Sequence, residues 1–387
     1  MYKDVFLKIL MLVDTLNTSG GTERVCSMLT NELSNAGYEM VLVTLENSDK
    51  PFFPINKNIK IIPLVSYPRS TLGRLPVSAY DIKNLRNTIF RIRNIVFDPI
   101  KFAYKIRKIS KEECVDIVIA ADTMLVRFVL PAILGLQIKL IGWEHMNFNA
   151  NFGSRQRVIT RQFVARYCDA VVTLTEKDRK YWLEGTSHKS QITAIANSCP
   201  FPVQEYIKEE DTKIVLAVGR LTHIKGFDML LDAWIQVNKS MPDWTLKIVG
   251  EGEDREKLTD FIKKNKLTDS VELVGNTDNV GQYYKEAEIF CLSSRMEGFP
   301  MVLLETLAFG LPVVSFNCDT GPAEILEDTG SILAAKNDVD KLALSLIELM
   351  KDDERRAIIS LKSKDKARLY QPEKIVSQWV DLLENLE

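Results

Sequence analysis

The sequence predicts an α/β protein of two doubly wound parallel-sheet domains facing a cleft. Three observations carry this expectation. Short β-branched runs alternate with helix-like segments along the chain. The alternation is interrupted at NSCPFPVQEY (Asn197–Tyr206), where two prolines intervene. The chain also has 387 residues and 46% apolar content, enough for two cores of ordinary size. The expected boundaries are 1–200, 201–370 and a closing segment 371–387.

In the first half KILMLV, EMVLVTL, IKIIPLV, VDIVIAA, IKLIGWE, AVVTLT and QITAIA read as strands. In the second half KIVLAVGR, TLKIVG, VELVG, EIFCLSS, LPVVSF and SILAA do the same. Buried runs that alternate with helices indicate parallel sheets covered on both faces. Between the first two runs, TERVCSMLTNELSNAG reads as a helix from near Thr22 that stops at Gly37, where a helix C-terminus favours glycine. The start, MYKDVFLKILMLVD, is interrupted by Lys8 and ends in Asp14, so it reads as a first strand and not as a signal peptide. No apolar run approaches the ~18 residues of a membrane-spanning helix.

The formal net charge of −2 argues against a nucleic-acid partner but leaves room for a local basic face. The six cysteines (26, 114, 168, 199, 291, 318) are scattered without a C-x-x-C pair, and there are three histidines. That usage suits reduced, packed thiols in a cytoplasmic protein, with neither disulfides nor a metal site.

Ligands of doubly wound sheets bind beyond the carboxyl ends of the strands, so the polar residues there are the candidates. Gly20 and Gly21 follow the first strand, where backbone can approach an anion at a helix N-terminus, although a plain tight turn fits as well. Glu46, at the end of the second strand, invites a nicotinamide site, but the full G-x-G-x-x-G fingerprint is missing. In KIVLAVGRLTHIKGFD, Gly219 and Arg220 follow a strand and Lys225 precedes a helix. Two cations there can clamp a pyrophosphate, or they belong to a solvated turn.

The stretch RMEGFPMVLLETLAFGLPVVS places Glu305 inside an apolar helical run and Glu297 eight residues earlier, before a Gly-Phe-Pro turn. With Pro300 at the first helical position, backbone N–H groups around Phe299 and Met301 would face an anion at a positive helix end. Eight residues of helix span on the order of 12 Å, which suits a ligand with hydroxyls at both ends and phosphates between. A nucleotide sugar has that layout. The alternative is that Glu305 caps a neighbouring amide and Glu297 is a loop charge, but a carboxylate buried without strong partners is costly.

The segments GRLTHIKGFDMLLDAW and LVGNTDNVGQYYKEAEIFCLSSRMEGFPMVLLETLAFGLPVVSFNC, with the early GGTERV, resemble the retaining, nucleotide-sugar-dependent glycosyltransferases of family 4. The resemblance covers nearly the whole chain and is firmest from about Lys213 to Gly330. It implies the GT-B arrangement: two Rossmann-like domains, the first binding the acceptor and the second the donor, with an E-x7-E motif. Arg220 and Lys225 would then contact the diphosphate, Glu297 the donor-sugar hydroxyls and Glu305 the ribose. Gly298, Phe299 and Pro300 would lend backbone, Asn276 and Thr277 would frame the base, and PEKIVSQWVDLLENL would cross back onto the first domain.

By the same resemblance His145, in IGWEHMN, would approach the donor sugar, although a histidine at a strand end is also often a packed polar residue. The implied mechanism retains anomeric configuration, with a phosphate oxygen taking the acceptor's proton. It needs no cofactor or metal, since the basic clamp can replace a divalent ion. GGTERV, WEHMN and CDTGPAEI are similar to pieces of bacterial enzymes that extend glycans on a membrane lipid carrier. The expected reaction is therefore hexose transfer from a nucleotide sugar, UDP in preference to GDP, to a lipid-linked glycan. A GT-B-like epimerase and a non-catalytic nucleotide-sugar-binding protein stay open. The absence of a cofactor-lysine motif disfavours a phosphorylase.

Finally, Ile82–Lys111 carries nine Lys or Arg against the single acid Asp98, interleaved with apolar and aromatic residues and divided at Pro99. It reads either as amphipathic helix packed on the first sheet or as an anchor to an anionic membrane surface, on the inner face of the cell membrane.

Overall fold

The computed structural model describes residues 7–46, 50–65, 98–150, 154–205 and 212–386. All thirteen runs form strands. Seven of them, β1 (Lys8–Val13), β2 (Glu39–Thr44), β3 (Lys60–Pro63), β4 (Ile117–Ala120), β5 (Lys139–Trp143), β6 (Ala170–Thr173) and β7 (Gln191–Ala194), make a parallel sheet of order β3-β2-β1-β4-β5-β6-β7. The other six, β8 (Ile214–Val218), β9 (Thr245–Val249), β10 (Val271–Gly275), β11 (Ile289–Leu292), β12 (Val313–Phe316) and β13 (Ile332–Ala334), make a second parallel sheet of order β10-β9-β8-β11-β12-β13. In each, the first strand lies next to both its successor and a later strand, so the winding reverses beside β1 and beside β8. These reversals open the crevices where doubly wound sheets bind ligands. The protein has two Rossmann-like domains of the GT-B type.

The chain divides into two compact units, Met1–Ile195 with Val376–Glu387, and Ala196–Ile375. Burial explains why the strands were legible. Ile9, Leu10, Met11 and Leu12 of β1 have no exposed surface, since helices cover both faces of a parallel sheet. Leu10, Val41, Val118, Phe128 and Trp182 belong to the core of the first unit, and Val215, Trp234, Ile248, Val314 and Leu346 to that of the second. The first helix runs Gly21–Asn35, and Gly37 follows it with φ +100°. The last helix, Pro372–Glu384, enters the first unit at Val376, and there Trp379 packs edge-on against Trp143 at 5.1 Å.

None of the six cysteines forms a disulfide, and only Cys114 is exposed. Of the basic stretch, residues 82–97 lie outside the described residues; the rest forms one helix, Asp98–Glu112, with Pro99 in its first turn. Among the described residues no helix is long and apolar enough to cross a membrane.

Candidate active site

Parallel strands put the loops after β8, β9, β10, β11 and β12 on one edge of the second sheet, and the residues predicted to hold the donor in this unit lie in these loops, except Glu305 in the helix that follows β11. After β8 the chain runs tight against its neighbours. The Gly219 N–H donates to Val249 O at 3.0 Å, and a side chain on Gly250 (φ +139°) would lie 2.0 Å from the Gly219 carbonyl oxygen, so glycine is required there. Arg220 is exposed and holds no ion pair among the described residues. A 3-10 turn, His223–Lys225, follows, and Gly226 (φ +66°) starts the helix Phe227–Ser240 with room for no Cβ against Ser293 O.

That close approach seats the β8 loop on the β11 loop. Lys225 Nζ lies 2.7 Å from Glu297 Oε1, and the Ser293 hydroxyl donates to the Lys225 carbonyl at 3.0 Å. Arg295 reaches back with both Nη atoms to the Asp228 carboxylate at 2.7 Å, and its Nη1 also donates to His223 O at 2.7 Å. Burial alone would raise the Asp228 pKa, but the Arg295 guanidinium outweighs it and holds the carboxyl below its usual range.

Glu297 is 9% exposed and accepts a second hydrogen bond, from Ser294 Oγ at 2.5 Å. Its turn is supported from the β12 loop. The Thr320 hydroxyl donates to the Glu297 carbonyl at 3.2 Å, and Gly321 (φ +93°) lies so close that a Cβ would come within 2.6 Å of Pro300 Cδ. CDTGPAEI therefore holds the acid turn in place, a role its Gly-Pro pair alone does not announce.

The expectation for Pro300 is corrected. It is the residue before the helix Met301–Ala308, with φ −70° and ψ 104°, and not the first helical residue. Its ring fixes φ for either position, and the packing of Gly321 against its Cδ accompanies the extended ψ. The first-turn N–H groups are those of Met301 and Val302. Glu305, in the middle of this helix, is 4% exposed and accepts from the Tyr284 hydroxyl at 2.8 Å, so its burial is matched by a side-chain donor. Tyr284 is itself fully buried and stacks on Phe309 at 5.2 Å. The β10 loop adds exposed Asn276 and half-buried Thr277, whose hydroxyl accepts from the Asn279 N–H at 3.1 Å.

The structure thus joins Lys225 directly to Glu297, sets Gly298 and Pro300 against Gly321, and ties Glu305 to Tyr284. Sequence reasoning missed Ser294, Thr320, Gly321, Tyr284 and the Arg295–Asp228 pair.

In the first unit, Gly20 precedes the helix Gly21–Asn35, and the Glu23 carboxylate folds back so far that a Cβ on Gly20 would meet it at 2.1 Å. The Thr18 hydroxyl also holds that carboxylate, at 2.7 Å. An acid of the chain itself therefore occupies the helix end where an anion was expected. His145 follows β5 with its ring 4.3 Å from Trp143. Its Nε2 is buried without a hydrogen-bond partner among the described residues. Burial lowers its pKa to about 4 against the opposing pull of Asp122, so the ring is neutral at pH 7.

The family described as Glycosyltransferase Family 4 matches residues 19–199, and Glycosyl transferases group 1 matches 202–366. An uncharacterized glycosyltransferase of Haemophilus influenzae is 33% identical over 97% of this chain and 99% of its own. The chain belongs to the glycosyltransferases. The amylovoran biosynthesis glycosyltransferase AmsD of Erwinia amylovora is 30% identical over 97% of this chain and 99% of that one. A Campylobacter jejuni alpha-1,4-N-acetyl-D-galactosaminyltransferase, named for a diNAcBac-PP-undecaprenol-linked glycan, is 26% identical over 97% and 98%. Among solved structures, Staphylococcus aureus TarM with fondaparinux, alpha-GlcNAc-glycerol and UDP aligns with TM-score 0.77 at 16% identity, over 97% of this glycosyltransferase and 99% of that chain.

Proposed function

We propose that this glycosyltransferase moves a hexose-type sugar from a UDP-sugar, in preference to a GDP-sugar, to a hydroxyl of a lipid-linked glycan in polysaccharide synthesis, with retention of configuration. The observation that carries the reading is the Lys225–Glu297 pair beside exposed Arg220 at the reversal point of the second sheet. Lys225 is a partly exposed cation already paired with an acid, and a diphosphate exchanges for that acid without leaving a charge uncompensated.

In this reading the donor's diphosphate lies against Arg220 and Lys225, which frees Glu297 for the sugar hydroxyls. Glu305, oriented by Tyr284, takes the ribose, and Asn276 and Thr277 frame the base. Gly298, Phe299 and Pro300 line the sugar and phosphate with backbone. Neutral His145 contributes at the reacting sugar; Gly20 and Gly21 border it. The bond from the anomeric carbon to the phosphate oxygen breaks as the bond to the acceptor oxygen forms on the same face, and the leaving phosphate takes the acceptor's proton. Charge that develops on the diphosphate meets two fixed cations, the role a divalent ion would otherwise fill. The UDP in the TarM complex and the polyprenol-linked substrate in the Campylobacter relative's name support the donor and acceptor classes.

An anionic membrane surface, on the cytoplasmic side, is the proposed second partner. On the helix Asp98–Glu112, Ile100 and Tyr104 are 65% and 69% exposed, next to exposed Lys101, Lys108 and Lys111. Lys105 and Arg107 are not part of that face: Lys105 donates to Leu64 O, and Arg107 donates to Ala132 O and Leu134 O at 2.8 Å each. Replacing Lys101, Lys108 and Lys111 with Gln should therefore reduce sedimentation with anionic vesicles at low salt while leaving the fold intact.

The test of the activity is incubation with labelled UDP- and GDP-sugars and a polyprenol-diphosphate glycan, with transfer, free sugar and epimer scored separately. Transfer with retained configuration, unaffected by EDTA, is expected. Epimer without transfer would make the protein an epimerase, and tight donor binding without any product a binding protein.

A further inference from the structure

The loop that carries His145 is held by a buried charge network that the proposed reaction does not use. Glu144, the preceding residue, is 1% exposed, and Arg161, on the helix Arg155–Tyr167, is 2% exposed. Arg161 Nε donates to Glu144 Oε2 at 3.1 Å, Nη2 donates to Asn147 O at 3.0 Å, and Nη1 donates to Phe148 O. The guanidinium also lies 5.1 Å from the Phe148 ring centroid. Glu144 accepts in addition from Thr123 Oγ1 at 2.9 Å and the Met146 N–H at 3.1 Å, and Arg157 bridges it to Asp122 at 3.4 Å on each side. Further along the loop, the Phe148 N–H donates to Asp178 Oδ1 at 2.7 Å, and the Asn149 N–H to Asn147 Oδ1 at 2.6 Å.

The backbone on the C-terminal side of His145 is thus tied down at four consecutive residues, 146 to 149, while its ring Nε2 is left without a partner among the described residues. A buried Arg–Glu pair is seldom the cheapest way to fill a core, because desolvation consumes most of the attraction. Well-packed apolar side chains would hold the helix on the sheet equally well, but they would not bind the carbonyls of Asn147 and Phe148. The planar fork of arginine reaches a carboxylate and two carbonyls at once, which lysine cannot.

We propose that Arg161 and Glu144 are positioning residues that lock the loop Glu144–Asn149, and with it the orientation of the His145 ring. The inference rests on the assignment of His145 to the reaction, and the experiment separates the two. Arg161→Gln, Arg161→Lys, Glu144→Gln and His145→Gln are compared by two readouts. One is the NMR titration of the His145 ring, identified by the signal missing in His145→Gln; the other is the split of kcat and donor KM in sugar transfer.

In the wild type burial should hold the ring's titration at about 4. In Arg161→Gln the loosened, hydrated ring should titrate nearer the ordinary histidine value of about 6.5, with Asp122 pulling it upward and Arg157 still holding Asp122 and Glu144. Its kcat should fall on the order of tenfold to a hundredfold at nearly constant donor KM, since misplacement by about an ångström is enough for that. Arg161→Lys and Glu144→Gln should fall between, and they carry the test if Arg161→Gln does not fold. Folded variants with an unchanged titration midpoint and unchanged kcat overturn the proposal. A shifted midpoint while His145→Gln keeps its kcat leaves the positioning in place and removes His145 from the reaction.

Discussion

Two ion pairs of similar chemistry sit beyond the ends of the two sheets, and they differ in their access to water. In the second unit the Lys225 side chain is 28% exposed and that of Glu297 8%; in the first unit the Arg161 and Glu144 side chains are 2% and 0% exposed. The first pair has one partner that solvent, or a ligand, can reach. Its lysine is a compact point charge on a flexible stem and can be taken over by a phosphate. The second pair is enclosed, and its arginine is spent on backbone carbonyls as well as on the acid. The contrast teaches that a charge pair beyond a strand end is not by itself a ligand site: the exchangeable pair is a candidate for chemistry, the enclosed one for geometry.

The strongest way to break this comparison is to remove the exchangeable cations. Lys225→Met or Arg220→Met should lower turnover on the order of a hundredfold or more, as loss of a preorganised charge stabiliser does. Lys225→Met also leaves the Glu297 carboxylate without its counter-charge, so its melting temperature should fall more than that of Arg220→Met. Steady-state kinetics and thermal unfolding of the two variants check this, and wild-type turnover in both would dismiss the clamp.

The two acids sharpen the contrast at a smaller scale. Glu297→Gln should depress kcat about tenfold or more because its proposed partner is the reacting sugar. Glu305→Gln should act mainly on donor binding, where a charge-assisted hydrogen bond contributes about 1.5 to 3 kcal/mol. Tyr284→Phe, which removes the hydroxyl 2.8 Å from Glu305, should weaken donor binding in the same direction but less, by about 1 kcal/mol. Donor affinities by calorimetry decide the order, and a Tyr284→Phe effect larger than that of Glu305→Gln would show that the tyrosine does more than orient the acid.

Much of this was legible because burial on both faces leaves its mark on a strand. KILMLV and KIVLAV can be read as they stand, and a lone acid in MVLLETLAF stands out against an apolar helix. Contacts between loops were not legible. Lys225 and Glu297 are 72 residues apart and meet because β11 pairs with β8, an order that alternation alone does not specify. Tyr284 reads as an ordinary aromatic until the fold brings its hydroxyl to Glu305. At Pro300 the ring constrains φ but leaves ψ to its neighbours, so the sequence could not tell a residue just before the helix from its first residue. At Gly20 the pattern was right for an anion, and Glu23, three residues on, supplied one.

The smallest expected effect concerns the brace between the β8 and β11 loops, and it separates structural from functional charge by pH. Arg295 holds the Asp228 carboxyl below its usual pKa despite the opposing effect of burial. An acid whose native pKa lies under the unfolded value of about 3.9 contributes stability that is present in full above that value. The contribution is lost as the pH falls through the lower, native pKa. Asp228→Asn should therefore melt about 2 °C lower than wild type at pH 7, a modest gap because the Asp228 side chain is still 31% exposed. The gap should narrow steadily below about pH 4 as the wild-type carboxylate takes up its proton. Melting curves of both proteins from pH 7 down to the acid limit of the native state measure it. A gap that stays constant across that range would mean that the carboxamide loses shape complementarity to the guanidinium and not charge, and Asp228 would then brace the loops by geometry alone.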